Sequence, residues 1–489
     1  MKQEKRNLIF YPLGTVGRDM VYSLFTNYIM LFILYTKQLT AAQLGAVTAI
    51  MVAARIFDAL NDPIMGNLIE RTRSKYGKFK PWLLSGVILT AVVIYLAFNT
   101  TLEGWSFIVF FGVIYFSYSI TYTMNDISYW GMVPALSKDG DMRNRITARA
   151  TLFAGIGGTL ASVLIPVLTT GNFALGGNAQ AAYGRIALII AVLAPLFILF
   201  TIFGARENRD DMSTPAPKLS FKKIVGTIGG NDQLLWISVI FLLQQIGNGI
   251  VLGGVGSNYI YFEFGYEGGL YSTFTTIGMM ATAFLMVFYP MIARKIHRQE
   301  LVKLMGIVAF CGYVVQLLAG FLMSATNLKF WILTIGFMFA NLGQYGLYLI
   351  MMLSIINTVE YNELNKGTRD EAIITSMRPF LTKFASSITV IITYVTYMIV
   401  RVTQYTNQIS DYESQANQGV ISSEEKSALI AKVIGSVENG QKVGLLLSMT
   451  VLPCILMVIA CIMYRKHYTL NEDRYDEICK ELEARRSAK

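Results

Sequence analysis

Apolar runs long enough to cross a bilayer recur from one end of this chain to the other, and no soluble segment of useful size remains between them. A hydrocarbon core of about 30 Å takes about 20 helical residues. The runs read as helices over residues 11–36, 43–70, 81–99, 105–134, 147–170 and 181–204, then 233–263, 268–293, 300–323, 330–361, 371–403 and 441–465. Backbone in lipid must satisfy its own polar groups, so the expected fold class is an all-α polytopic membrane protein of twelve transmembrane helices. Only 15% of the 489 residues are charged, against about 25% in soluble proteins. The N-terminus, MKQEKRNLIFYP, lacks the apolar core and cleavage site of a signal peptide.

The net charge of +10 is distributed by loop and not as one patch, which argues against nucleic acid as a partner. Lys2, Lys5 and Arg6 precede the first span, and Arg71, Arg73, Lys75, Lys78 and Lys80 follow the second. Lys138, Arg143 and Arg145 follow the fourth; Arg206, Arg209, Lys218, Lys222 and Lys223 follow the sixth. The intervening loops around Glu103 and Asn172 carry almost none, so the positive-inside rule puts both termini in the cytoplasm of a cell (inner) membrane. Residues 205–232 form a charged, proline-containing connector between six-helix halves at 1–204 and 233–465, with a cytoplasmic tail at 466–489. Two such halves suit a transporter that rocks around a central site. The cysteines, 311, 454, 461 and 479, have no CxxC spacing and read as free thiols; with only His297 and His467 present, no zinc, haem or other cofactor is expected.

Charge inside the spans carries the functional signal. In MVAARIFDALNDPIMG, Asp58 and Asp62 are four residues apart and share a helical face with Arg55 and Asn61 close by. A carboxylate at mid-membrane costs about 2.5–3.5 kcal/mol on insertion scales, so two must face a protein or water-lined interior. A structural salt bridge to Arg55 is the plain alternative, but one arginine does not neutralise two acids. Pro63 is expected to kink the helix where the acids sit and free a carbonyl for a ligand. The first span holds Arg18 and Asp19, with Tyr22 and Thr26 on the aspartate's face; a snorkelling helix-end pair is the alternative there. In the fourth span Tyr122, Asp126 and Trp130 are spaced by four, flanked by Thr123 and Asn125. A carboxylate between aromatic rings suits a sugar, whose hydroxyls bond charged acceptors while its apolar face stacks; ordinary aromatic packing is the alternative. Arg149 enters the fifth span, where Gly155, Gly157 and Gly158 allow close approach.

The second half supplies Gln244, Gln245, Asn248, Asn341, Gln344, Tyr345 and Tyr348, then Arg378, Thr382 and the deep Lys383. NTVEYNELNKGTRDEA reads as a cytoplasmic loop whose Glu360, Glu363, Lys366 and Arg369 form ion pairs. Residues 404–440 read as a polar external loop with one short surface helix near Ser423, and the tail's Tyr475, Ile478, Cys479 and Leu482 share one face.

RIFDALNDPIMG joined to RTRSKYGKFKPW, with YTMNDISYWGMVPAL and the stretch from Glu360 to Lys383, closely resembles the glycoside-pentoside-hexuronide:cation symporters of the major facilitator superfamily. The resemblance covers nearly all of the chain and implies two six-helix halves and cation-coupled sugar uptake by alternating access, with no enzymatic activity. It implies that Asp58, Asn61, Asp62 and Thr123 bind the coupling ion, sodium in preference, or lithium or a proton. Asp19, Asp126 and Trp130 match sugar-contacting positions, joined by Tyr22, Tyr122 and Tyr348, and Lys383 matches a lysine near the cation. The family's arginine in the fifth span aligns nearer Thr151 than Arg149. Tyr348 stands where tryptophan is found in the best-known member, and Arg378 replaces an uncharged polar residue, so the individual sugar is not transferable. Some lactose-transporting relatives carry a cytosolic domain after the last span, which this sequence is expected to lack. A sodium-dependent lysolipid carrier shares the fold and is the alternative; no P-loop, metal cluster or nucleophile with a base supports an enzyme, and no ring of acids supports a channel.

Overall fold

A computed structural model of the protein describes residues 2–137, 139–207, 221–293 and 295–487. Lys138, Arg209 and Lys218, used above for topology, lie outside the described residues, and of Lys2 and Lys222 only the backbone is described. Every regular element among the described residues is helical. The long helices are α1 (Lys2–Thr36), α2 (Ala41–Arg71), α3 (Lys80–Phe98), α4 (Gly104–Gly131), α5 (Gly140–Thr169) and α6 (Ala179–Gly204). They continue as α7 (Asp232–Phe264), α8 (Gly268–Ala293), α9 (Arg298–Leu322), α10 (Asn327–Lys366) and α11 (Glu371–Val400). Then come α12 (Thr403–Asn417), α13 (Ser423–Gly435), α14 (Asn439–His467) and α15 (Glu472–Ser487).

Eleven of these are long and apolar enough to cross a membrane. The twelfth expected span is present as the 35-residue α1, whose length suffices but whose interior Arg18, Asp19 and Asn27 dilute its apolar character. Local chemistry sets the ends. Thr40 and Gln43 close a capping box on α2, Asn178 caps α6, Asn231 caps α7, and Ser422 with Glu425 caps α13. Gly367, at φ +71°, ends α10, which therefore holds Glu360 and Glu363 inside the helix and shortens the loop expected there to a few residues.

Helix continuity differs between α2 and α7. α2 is continuous from Ala41 to Arg71 with Pro63 inside it, where the proline supplies no backbone donor. α7 does break, where Gly254 at φ +118° interrupts the helix and its carbonyl accepts from Ser257 Oγ at 2.8 Å and Asn258 Nδ2 at 3.0 Å.

The chain forms two compact units: Met1–Ala216 with Ile260–Thr273 and Tyr397–Glu438, and Pro217–Tyr259 with Phe274–Thr396 and Asn439–Lys489. In the first, α1 packs along α5 and α6, and α4 along α2 and α3. A Cβ on Gly157 would stand 2.2 Å from the Val16 carbonyl oxygen, so α5 meets α1 backbone to backbone; Gly155 meets nothing. The polar segment after α11 is a helical pair, α12 and α13, where one helix was expected. It docks through Asn407 Nδ2 to the Leu39 carbonyl at 2.8 Å, the Ala179 amide to Glu413 at 2.7 Å and Lys426 Nζ to the Gly177 carbonyl at 2.6 Å, while a buried Lys426–Glu413 ion pair at 3.3 Å joins α12 to α13. In the second unit α9, α10 and α14 share a core that takes up Ile478 and Leu482 of α15. All four cysteines are free.

Candidate substrate and cation site

α2 and α4 pack side by side and run parallel, so the four-residue spacing of the acids on α2 meets a four-residue spacing of hydroxyls on α4. Asp58 accepts a short hydrogen bond from Ser119 Oγ, and Asp62 accepts from Thr123 Oγ1 at 3.4 Å. Asn61 lies between them in sequence, is buried, and its Nδ2 has no partner. Arg55, one turn earlier, also leaves its Nε buried without a partner. Carboxylate, amide and hydroxyl oxygen at one level of two helices is a hard-oxygen donor set, the kind that alkali cations and protons use.

The second cluster joins α1 to α4. Arg18, only 6% exposed, reaches Asp19 through Nε at 3.1 Å and Nη2 at 2.8 Å, and Asp126 through Nη1 at 2.8 Å. Its guanidinium also lies 5.0 Å from the Trp130 ring centroid and 5.1 Å from that of Tyr129. The snorkelling alternative thus gives way to an interhelical clamp: Arg18 turns inward because two carboxylates and two rings meet it there. Asp19 and Asp126 remain 23% and 38% exposed. Above the clamp Tyr22 and Tyr122 have ring centroids 5.8 Å apart, and Tyr122 stacks on Tyr118, which stacks on Phe25. Tyr22 is 41% exposed and offers an aromatic face.

Of the residues singled out in the sequence, Asp19, Tyr22, Tyr122, Asp126 and Trp130 gather around Arg18, and Asp58, Asn61, Asp62 and Thr123 gather along α2 and α4. Arg149 does not join them. Its Nη1 faces the Leu8 carbonyl at 3.5 Å, eleven residues before Asp19 on α1 and thus about 16 Å along the axis. It stands nine residues after the first residue of α5, and Thr151 bonds the Thr147 carbonyl at 3.0 Å. Tyr348 and Lys383 lie in the second unit. Arg378 Nη1 reaches Tyr348 Oη at 3.3 Å, Gln245 reaches Thr382 at 3.3 Å, and Lys383 is half-buried on α11. Three of the remaining amides turn out structural: Gln244 binds the Gln344 carbonyl, Gln344 binds Tyr313, and Asn341 binds the Gly278 carbonyl.

Sequence reasoning missed Ser119 and Tyr129. Ser119 stands four residues before Thr123, so the same spacing that exposed the acids would have found it. Tyr129 exchanges hydroxyl-to-carbonyl hydrogen bonds with Tyr11 at 2.6 and 2.7 Å, which holds α1 and α4 together below the clamp.

A family described as MFS/sugar transport protein matches residues 10–472. The chain belongs to that family. It is similar to the lactose permease of Lactobacillus helveticus, 26% identical over 97% of this chain and 71% of the relative. The raffinose carrier protein of Pediococcus pentosaceus is 27% identical, again over 97% of this chain and 71% of the relative. Among solved structures, the nucleoside transporter NupG superposes with a TM-score of 0.61 at 14% identity, covering 95% of this chain and 99% of that one. That likeness shows the fold: this is a multi-pass membrane protein of the transporter type, and the relatives are named as carriers, not enzymes.

Proposed function

We propose that the protein is a secondary active transporter that couples entry of a monovalent cation to uptake of a glycoside across the cell membrane, with both termini in the cytoplasm. The observation that carries this reading is the pairing of two membrane-embedded carboxylates with two hydroxyls, Asp58 with Ser119 and Asp62 with Thr123. The names of the lactose and raffinose relatives support a sugar as the cargo.

The cation goes to Asp58, Asp62, Asn61 and Thr123. Rotation of the unpartnered Asn61 amide presents Oδ1 as a further ligand. Neutral oxygen donors favour sodium or lithium over a proton, which needs only a carboxylate. Sugar hydroxyls go to the carboxylates of Asp19 and Asp126, each such charged hydrogen bond contributing about 1.5–3 kcal/mol. Tyr22, Tyr122 and Trp130 supply the stacking faces, and Arg18 holds both carboxylates in place and donates to the cargo. Cation binding removes net negative charge from α2 and lowers the cost of closing helices around it, so the cation prepares the sugar site. Linkage then requires sugar to tighten cation binding by the same factor. Tyr348 and Lys383 carry no step in this reading.

The test is uptake of labelled glycosides into proteoliposomes under a sodium gradient, a choline replacement and an imposed proton gradient. Sodium-driven uptake that collapses in choline, and disappears in Asp58→Cys while the fold survives, is the expected result. Uptake indifferent to every cation gradient rejects the assignment.

A further inference from the structure

α9 and α14 pack antiparallel in the second unit, and between them runs a groove of about 240 Å³. It exists because the α9 wall drops to a glycine: a Cβ on Gly306 would stand 3.2 Å from Cys461 Sγ. Val302 and Met457 close the floor, both buried, while Ile307, Phe310 and Ile462 stand 51%, 47% and 59% exposed along the rims. At one end the lining changes character. Lys303, in the second turn of α9, and Arg465, in the last turn of α14, stand over the groove's mouth. Both are exposed, neither makes an ion pair or hydrogen bond with a described residue, and no carboxylate lines the groove.

A trough of hydrocarbon closed by two unneutralised cations, on helices long and apolar enough to span a membrane, has the polarity of one class of molecule. We propose that this groove binds an anionic phospholipid, with an acyl chain along Gly306 and Cys461 and the phosphate on Lys303 and Arg465. A zwitterionic lipid fills the trough equally well but adds a cation beside two others. The charges therefore select the headgroup and the glycine selects the chain. The inference is independent of the cargo assigned above, since none of its residues belongs to that site.

The experiment is native mass spectrometry of the purified full chain, titrated with phosphatidylglycerol or phosphatidylcholine of identical acyl chains. The wild type is expected to retain one phosphatidylglycerol about thirtyfold more tightly, from two juxtamembrane cations. The Lys303→Gln/Arg465→Gln variant loses that preference and keeps the weak binding of both lipids. Gly306→Leu, which leaves the charges and fills the trough, weakens both lipids together. Equal retention of the two lipids by the wild type overturns the proposal. So does displacement of the bound lipid by glycerol phosphate at matching concentration, which would reduce the site to a phosphate contact. If Gly306→Leu fails to fold, the charge variant alone decides, because both its residues are exposed.

Discussion

Lys426→Met tests whether a buried charge pair holds α12 to α13 and to the segment at Gly177 and Ala179. Glu413 and Lys426 are 1% and 2% exposed, the carboxylate accepts from the Ala179 amide at 2.7 Å as well, and its Oε1 has no further partner. Removing one partner of a buried pair costs about 3–5 kcal/mol because the other charge is left uncompensated. That is a change of about 160-fold or more in the unfolding equilibrium. The pH dependence has a definite sign. Burial raises the Glu413 carboxyl above its ordinary value, while Lys426 and the Ala179 amide pull it down. A carboxyl raised in the native state contributes stability that is full below its unfolded value near 4.5 and is lost as pH rises through the native value. Without Lys426 the native value climbs further, so the variant's deficit is largest at neutral pH and narrows toward pH 5. Adding Glu413→Gln keeps an acceptor for Ala179 and removes the orphaned charge, so the double variant recovers at least half of the loss. The assay is reversible denaturant unfolding in micelles, followed by tryptophan fluorescence at pH 5 and pH 8. A single-variant loss under about 1 kcal/mol, or a double variant no more stable than the single, would falsify the buried-charge argument.

Asp126→Asn keeps the shape of the clamp but loses a charged acceptor, so sugar affinity should fall about 10- to 150-fold with cation affinity little changed; isothermal titration with the transported glycoside checks this. Ser119→Ala removes the hydroxyl from Asp58, and sodium-stimulated sugar binding should need about tenfold more sodium; an unchanged sodium requirement would place Ser119 outside the site. Gly157→Val puts two methyl groups where the Val16 carbonyl lies 2.2 Å from the first added atom, so α1 and α5 must separate. Expression and detergent stability should collapse, whereas Gly155→Val, which meets nothing, should be tolerated.

The acids were legible because a membrane makes them expensive: Asp19, Asp58, Asp62 and Asp126 stand out of apolar helices, and the structure brings the four-residue spacing of Asp58 and Asp62 on α2 into register with that of Ser119 and Thr123 on α4. Arg18 was half legible. Its burial cost was visible, but whether it turned outward or inward depended on Asp126, 108 residues away. Where Arg149 reaches was not legible, because the carbonyl it faces belongs to another helix, 141 residues away. Gln244, Asn341 and Gln344 resembled a binding surface, yet each bonds a group on a neighbouring helix. An amide in a span announces that it needs a partner without saying whether that partner is protein or cargo.

The sequence by itself determined that the chain is a bundle of membrane helices, where most of them begin and end, and that carboxylates sit in their interior. Hydropathy, caps and the desolvation cost of charge act over a few residues, so they can be read along the chain. Only the tertiary structure decided that Arg18 clamps α1 to α4, that α7 breaks at Gly254 while Pro63 leaves α2 whole, and that the α12–α13 pair is fastened by a buried charge. Those outcomes rest on which groups from distant segments meet in a low dielectric, where a partner's presence or absence is worth several kcal/mol, and no local pattern records it.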